Sequence, residues 1–369
     1  MPSYEDLESK IIDTGKCTVC GACILACPNS HIRYTDGKPK RPKRTLDCVS
    51  CNICYDACYR VREGRLADIE AIILGSEKQE SIGVHRRILT ARIKGQKAGA
   101  CQDGGIVTAL LIYSLDQGII DGALVVGRDG WMPVASIAKT REEIIASAGT
   151  KYGVVPVLKE IREAVIDHGL SKICVVGSPC HIQSIRYLKN RGLPLASSVK
   201  LTIGLFCREN YYYHCITEKA SSKGINVDQI DKLNVADEFN IYANGKKLSF
   251  PITEVKSCVP KHCLICEDFA SELADISVGS DGSPEGWSTV IIRTEEGEAV
   301  FSGMEREELV ETVAVGGLVD IREIAERKRE KGKQTKDIFK LKEEGLDKKE
   351  TAAKLGITEG RVSHRLEGM

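Results

Sequence analysis

Eight cysteines in the first 58 residues fall into two runs of one spacing. Cys17, Cys20, Cys23 and Cys27, followed by Pro28, read C-x2-C-x2-C-x3-C-P. Cys48, Cys51, Cys54 and Cys58 repeat the run, with Tyr59 where the proline would stand. Three cysteines separated by two residues wrap one iron–sulfur cubane, and the three-residue gap sends the fourth sulfur across to the neighbouring cluster. One cluster is therefore assigned to Cys17, Cys20, Cys23 and Cys58, the other to Cys48, Cys51, Cys54 and Cys27. Paired C-x2-C units also build tetrahedral zinc sites, but two matching runs of four favour iron. A chain with such ligands handles single electrons.

A chain of 369 residues suggests two or three domains, and 42% hydrophobic residues suffice for a full core. With 52 basic and 52 acidic residues the net charge is zero, so a nucleic-acid or acidic-membrane partner would need a local patch. The N-terminus is polar and acidic, without the apolar run of a signal peptide. No stretch approaches the roughly 20 uninterrupted apolar residues of a membrane span; even 106–127 is broken by Asp116, Gln117 and Asp121. Sixteen cysteines in this setting read as metal ligands, not disulfides, in a reducing cytoplasmic compartment.

Residues 1–62 form a two-cluster ferredoxin-like unit. Its loops are joined by the basic stretch Lys38-Pro39-Lys40-Arg41-Pro42-Lys43-Arg44, read as a solvated linker or a docking patch for an acidic redox partner. Residues 63–95 connect it to the core, the domain assigned to 63–330. There the pattern predicts a helix over 104–115, a buried strand over 122–126, helical spacing over 142–147 and 155–167, and strands over 173–176 and 201–206. Strands alternating with helices indicate an α/β architecture with parallel pairing. The last two strands deliver Cys180 and Cys207 at their C-terminal ends, the edge where open α/β sheets place ligands. Asn244-Gly245 signals a hairpin over 243–250, and 288–294 with 298–301 reads as a second.

Four further cysteines fall where a third cluster can be built: Cys180, Cys207 and the pair Cys263-x2-Cys266, with Cys258 competing for the fourth position. Cys101, Cys174 and Cys215 read as ordinary buried thiols. Glycine-rich turns at Gly104-Gly105, Gly149-Thr150 and 279–286 read singly as plain turns; as a set they let backbone N–H groups approach a pyrophosphate. No G-x-G-x-x-G occurs, so a nicotinamide site of that type has no support.

The segment Gln102-Asp103-Gly104-Gly105-Ile106-Val107-Thr108-Ala109-Leu110-Leu111 resembles the beta subunit of coenzyme F-420-reducing hydrogenase and its relatives. So do Ala148-Gly149-Thr150-Lys151-Tyr152, Ser178-Pro179-Cys180, 206–210, 263–268, and the long run Glu272–Ser280 through Gly286-Trp287-Ser288-Thr289-Val290. The resemblance covers residues 85–330 and implies a flavoprotein core that binds FAD and one 4Fe–4S cluster and exchanges a hydride with coenzyme F420. It implies Cys180, Cys207, Cys263 and Cys266 as cluster ligands and sets Cys258 aside.

With the ferredoxin-like unit, the implied cofactors are three 4Fe–4S clusters and FAD, with the deazaflavin coenzyme as substrate. A fusion of this kind resembles the input subunit of F420H2 dehydrogenase complexes and the flavin half of deazaflavin-dependent sulfite reductases. The implied acceptor is a ferredoxin or a larger redox complex: a membrane dehydrogenase, a heterodisulfide reductase or a sulfite reductase. That places the chain in the cytoplasm or at the periphery of a membrane complex. The residues expected around the cofactors are Gly104, Gly105, Thr108, Gly149, Thr150, Lys151, Tyr152, Ser178, Asn210, Gly279, Ser280, Gly286, Trp287 and Ser288. Lys151 is expected to neutralise phosphate or to stabilise a reduced flavin ring, and Tyr152 and Trp287 to line the flavin or to pack. His181 is a donor near the cluster or a surface residue. No catalytic acid or base is assigned, since hydride transfer between stacked rings calls for none.

The tail, assigned to 331–369, is basic and helical in pattern. Residues 348–366 resemble a helix-turn-helix, with Arg361, His364 and Arg365 on the outer face of its second helix. The expected fold is thus an α/β (α+β) core flanked by a ferredoxin-like unit and a helical tail. A redox-sensing DNA-binding regulator is the alternative function, and an appendage for assembly or protein docking the other reading of the tail.

Overall fold

The computed structural model describes residues 2–42, 48, 51–75, 81–95, 101–235 and 238–366. In chain order the strands are β1 (Arg33–Thr35), β2 (Lys38–Lys40), β3 (Arg87–Ile93), β4 (Gly122–Asp129), β5 (Met132–Ala138), β6 (Ile173–Gly177) and β7 (Val199–Leu205). β8 (Ile230–Val235), β9 (Glu238–Ala243), β10 (Lys246–Pro251), β11 (Ile276–Gly279), β12 (Ser288–Ile292) and β13 (Val310–Val313) follow.

Eight strands form the central sheet, ordered β13-β3-β12-β11-β7-β6-β4-β5. The expected parallel pairing is found at its centre, where β4, β6, β7 and β11 run parallel. β5, β12, β3 and β13 close the sheet in antiparallel fashion, making it mixed. Alternation along β6 shows why helices cover both faces. Ile173 and Val175 pack with Ile182, Ile185 and Leu188 on one side. Cys174 and Val176 pack with Ile106, Leu110 and Phe301 on the other.

The Asn244-Gly245 hairpin is present, with both residues at positive φ (49° and 72°) as a tight primed turn requires. It joins β9 to β10 in a separate three-stranded sheet. The second expected hairpin is not formed. Residues 295–306 are a helix, capped by the Thr294 hydroxyl accepting from Gly297 N–H at 3.2 Å. Three glutamates in its first turn suit the helix dipole, and Val300, Phe301 and Met304 turn its apolar face to the sheet. The segment 63–95 is more than a connection: it carries a helix, Arg65–Leu74, and β3 of the central sheet.

The N-terminal unit is fused to the core, since Ala22, Leu25, Ala26 and Tyr59 pack in the same cluster as Leu158, Ile161 and Tyr187. Its basic stretch is not a free loop. Lys38–Lys40 form β2 against β1, and Lys38, Lys40 and Arg41 pair with Asp13, Asp36 and Glu5. Lys43 and Arg44 lie outside the described residues.

A 26-residue helix, Leu318–Glu343, then runs across the molecule and leads to the helices Lys348–Leu355 and Glu359–Leu366. This terminal pair packs Ala352, Val362 and Leu366 against Ile265, Ile338 and Phe339. No described helix is long and apolar enough to cross a membrane.

Candidate functional site

The C-terminal ends of the four parallel strands open into one cavity of about 950 Å³, walled by Val126, Gly177, Phe206 and Gly279 among others. That is the top of the size range for small-molecule sites, about 300–1,000 Å³, and the expected edge of an open α/β sheet. Of the residues expected around the cofactors, Gly105, Thr108, Gly149, Thr150, Lys151, Tyr152, Ser178, Asn210, Gly279, Ser280 and Ser288 all line it.

Gly104, Gly286 and Trp287 do not belong to the cavity wall. Gly104 is a packing glycine: a Cβ there would stand 2.6 Å from the Ala91 carbonyl oxygen, where helix and sheet touch. Trp287 instead stacks beneath Arg92, 4.4 Å from its guanidinium carbon.

Gly105 has φ +76° and opens the helix Ile106–Asp116, whose first turn, Ile106 to Thr108, faces the cavity. Unpaired N–H groups and the helix dipole there suit a phosphate. Lys151 turns its ammonium back onto the carbonyls of Ser147 and Ala148, and burial, with Arg128 nearby, lowers its pKa to about 8. Tyr152 packs edge-on to Tyr211 with ring centres 6.0 Å apart, and burial raises its pKa to about 12.

Behind one wall lie the thiols. Cys180 follows Pro179 in the first turn of the helix Pro179–Asn190, Cys207 follows β7, and Cys263 and Cys266 flank the turn after the short helix Lys261–Leu264. Burial pushes Cys207 up to about 11, with Lys328 opposing it and Cys266 adding to it, and burial with Cys207 raises Cys263 well above its usual value. Burial raises Cys180 to about 12; the Ser178 hydroxyl opposes this, and Cys207 and Cys266 add to it. Such thiols stay protonated unless a cationic centre draws them out as ligands. Among the described residues, no three His, Cys, Asp or Glu side chains are gathered as a site for a single metal ion.

In the N-terminal unit the two cysteine runs approach each other. Cys58 lies near Cys20 and Cys17, while Cys54 lies near Cys51 and Cys27. The His31 backbone N–H donates to Cys27 Sγ at 3.3 Å, and its ring Nδ1 lies 3.3 Å from Cys48 Sγ.

His181 is not a surface residue. It is buried, with Nε2 2.9 Å from the Val155 carbonyl, so that nitrogen carries the proton and donates. Its Nδ1 then accepts from Ser178, whose hydroxyl also lies 3.2 Å from Cys180 Sγ. Cys174 is a buried thiol as expected, but Cys101 is half-buried in the cavity wall. Cys215 and Cys258 form a disulfide, Cα atoms 5.4 Å apart, because the helix Tyr213–Ser222 packs against the turn Lys256–Cys258.

Several side chains carried no readable signal because only long-range packing brings them in. His262 is buried beside Cys263, and burial lowers its pKa to about 3. Buried Arg60 reaches the His262 carbonyl at 3.5 Å and pairs with Glu63. Lys328, on the long helix, is buried, lines the cavity and donates to the Cys207 carbonyl. Arg365, expected on an outward face, lines the cavity instead. The side chain of His364 lies outside the described residues.

The fold and site define a mixed α/β protein that sets a cofactor-sized cavity beside a group of cysteines. The family model for a 4Fe–4S dicluster domain matches residues 9–70, and the N-terminal and C-terminal models of the coenzyme F420 hydrogenase/dehydrogenase beta subunit match 88–162 and 170–316. The chain belongs to the family of coenzyme F420 hydrogenase/dehydrogenase beta subunits.

It is 33% identical over 322 residues to the coenzyme F420-dependent sulfite reductase of Methanocaldococcus jannaschii, covering 83% of this chain and 48% of that protein. The chain thus spans about half the length of that relative. It is 31% identical over 314 residues to an F(420)H(2) dehydrogenase subunit of Methanosarcina mazei, covering 82% and 85% of the two. In structure it is similar to a chain of the F420-reducing NiFe hydrogenase complex from Methanosarcina barkeri, with a TM-score of 0.67 and 32% identity, over 70% of this chain and 94% of that one.

Proposed function

We propose that this chain is an iron–sulfur flavoprotein that exchanges a hydride between coenzyme F420 and FAD. Single electrons then pass through three 4Fe–4S clusters to a ferredoxin or a partner redox complex, in the manner of an F(420)H(2) dehydrogenase input subunit. The observation that carries the reading is continuity. Cys207 and Ser178 belong to the cavity wall, Cys180 lies within electrostatic reach of Cys207, Cys266 and Cys20, and Arg60 of the N-terminal unit donates to the carbonyl of His262, beside Cys263.

FAD, when bound, would supply the change from two-electron to one-electron transfer that a hydride donor and iron–sulfur clusters require between them. Gly105, Thr108, Gly149, Gly279 and Ser280 would hold it, the helix behind Gly105 presenting N–H groups to its phosphates. Cys180, Cys207, Cys263 and Cys266 would hold the core cluster. Lys328, fixed on the Cys207 carbonyl, offsets thiolate charge there. His181, kept neutral by burial, orients Ser178 beside Cys180.

The test is anaerobic purification with iron, acid-labile sulfide and flavin measured per chain, then mixing with reduced coenzyme and a one-electron dye. About 12 iron and one FAD per chain are expected from three cubanes, with dye reduction. A preparation without flavin absorbance, or no oxidation of the coenzyme, overturns the reading.

A further inference from the structure

Tyr59 stands where the first cysteine run has Pro28, directly after Cys58. Its ring packs among Leu158, Ile161 and Ile182, the last on the helix that carries Cys180, and the residue is 1% exposed. A side chain of the N-terminal unit is thereby sealed inside the core. The ionisable groups that act on its phenol are Arg60, Cys180, Cys266 and Glu63.

Arg60 follows it into the same place. Its side chain is 6% exposed, its guanidinium carbon lies 5.1 Å from the centre of the Tyr59 ring, and Cys266 is among its neighbours. Nη1 is engaged by Glu63 and Nη2 by the His262 carbonyl. Two donors remain. Tyr59 Oη and Arg60 Nε are both buried, and neither has a hydrogen-bond partner among the described residues. A buried donor left unpaired gives up its hydration for nothing, and native structures rarely tolerate one. Here two lie on neighbouring residues, both within electrostatic reach of Cys266. Glu63 is not the missing acceptor, because its two oxygens serve Arg60 Nη1 and Lys336. The acceptors left to them are sulfur atoms, the thiolates and sulfides of a cluster bound by the core cysteines.

We propose that Tyr59 and Arg60 are positioning residues for the cluster of Cys180, Cys207, Cys263 and Cys266, the phenol O–H and the Nε–H donating to its sulfur atoms from the N-terminal unit. The inference rests on the reading that these four cysteines hold a cluster. An added electron makes the sulfurs richer in charge and strengthens both hydrogen bonds, so the pair favours the reduced state. Neither donor gives up its proton. The step that they tune is the gain of one electron by the cluster, which the flavin supplies in the proposed relay. Cys58, Tyr59 and Arg60 then serve both sides of the junction, Cys58 as a ligand of the neighbouring cluster and the next two residues as donors to this one.

The test uses the anaerobic full chain with its clusters and FAD loaded. Redox titration with dithionite is followed by electron paramagnetic resonance, and the reduced clusters are compared in H2O and D2O by electron–nuclear double resonance. The wild type is expected to show an exchangeable proton coupled to the core cluster. Y59F removes one oxygen and should lose that coupling at unchanged iron and FAD content. The reduced-to-oxidised ratio of the core cluster at a fixed potential should fall about tenfold, a shift of about 59 mV to the negative for a one-electron couple. R60K keeps the charge without the Nε donor and should move the potential in the same direction. A core potential unmoved in Y59F, a shift without loss of the coupling, or a Y59F chain that sheds core iron overturns the donor role while leaving the relay standing. A wild type with about eight iron per chain, enough for two cubanes, removes the core cluster and this inference with it.

Discussion

Gly332 lies against Cys266: a Cβ at position 332 would stand 2.6 Å from the Cys266 carbonyl oxygen and 2.8 Å from Glu267 Cγ. The helix Leu318–Glu343 can approach the cysteine loop that closely only through a residue without a side chain. Four residues on, Lys336 bridges Glu63 of the N-terminal unit, at 2.7 Å, and Glu267 beside Cys266, at 2.9 Å. One helix therefore clamps both thiol groups. Alanine would gain about 1 kcal/mol of helix propensity at position 332, but overlap with backbone costs about 1–3 kcal/mol and has no flexible atom to absorb it. G332A is expected to lower Tm by roughly 2–8 °C and to reduce bound iron. A higher Tm with full iron would refute the close fit.

The Asp275 carboxylate is buried and accepts at 2.7 Å from Arg186 Nη2, Thr202 N–H, Thr202 Oγ1 and Thr294 Oγ1. Burial alone would raise its pKa; Arg186 and these donors outweigh it and hold the carboxyl below its ordinary value. A depressed carboxylate contributes stability above its unfolded pKa of about 3.9, and that contribution is lost as pH falls through the folded value. D275N is expected to cost about 3–5 kcal/mol at neutral pH by leaving Arg186 buried and uncompensated. In denaturant unfolding, the gap between the wild type and D275N should narrow below about pH 4. A gap constant with pH would contradict the linkage.

His31 donates its backbone N–H to Cys27, and its ring Nδ1 lies 3.3 Å from Cys48 Sγ, where it would donate to the thiolate of a cluster ligand. Donors to cluster sulfurs stabilise the more electron-rich, reduced state and raise the potential. H31A is expected to make the potential of the cluster held by Cys27 and Cys48 more negative, leaving the cluster of Cys17 and Cys58 unmoved. Redox titration followed by electron paramagnetic resonance separates the two. A shift in the other cluster would refute the crossed ligand assignment.

Lys328 is a buried cation whose pKa is raised by Cys266, Cys207, Cys263 and Asp268 against the cost of burial. K328M removes a positive charge facing the core cluster but keeps the chain's bulk. The core cluster should then become harder to reduce, at unchanged flavin content. An unmoved potential would show that Lys328 serves packing alone.

The sequence alone disclosed an iron–sulfur domain and roughly where the sheet lies. Cysteine spacing is a local code, so a dicluster domain was legible without a fold. The short apolar runs ending at Cys180 and Cys207 were legible because parallel strands buried on both faces leave little room for polar residues. Asn244-Gly245 marked its turn for an equally local reason, the need for positive φ. The run 298–301 misled, because four apolar-rich residues fit either period and the cap at Thr294 decided for helix. Only the tertiary structure could join Arg60 to His262, pair Cys215 with Cys258, or turn Arg365 into the cavity. Those contacts depend on which helix faces pack together, and that choice is made by burial summed over the whole chain, not by any segment of it.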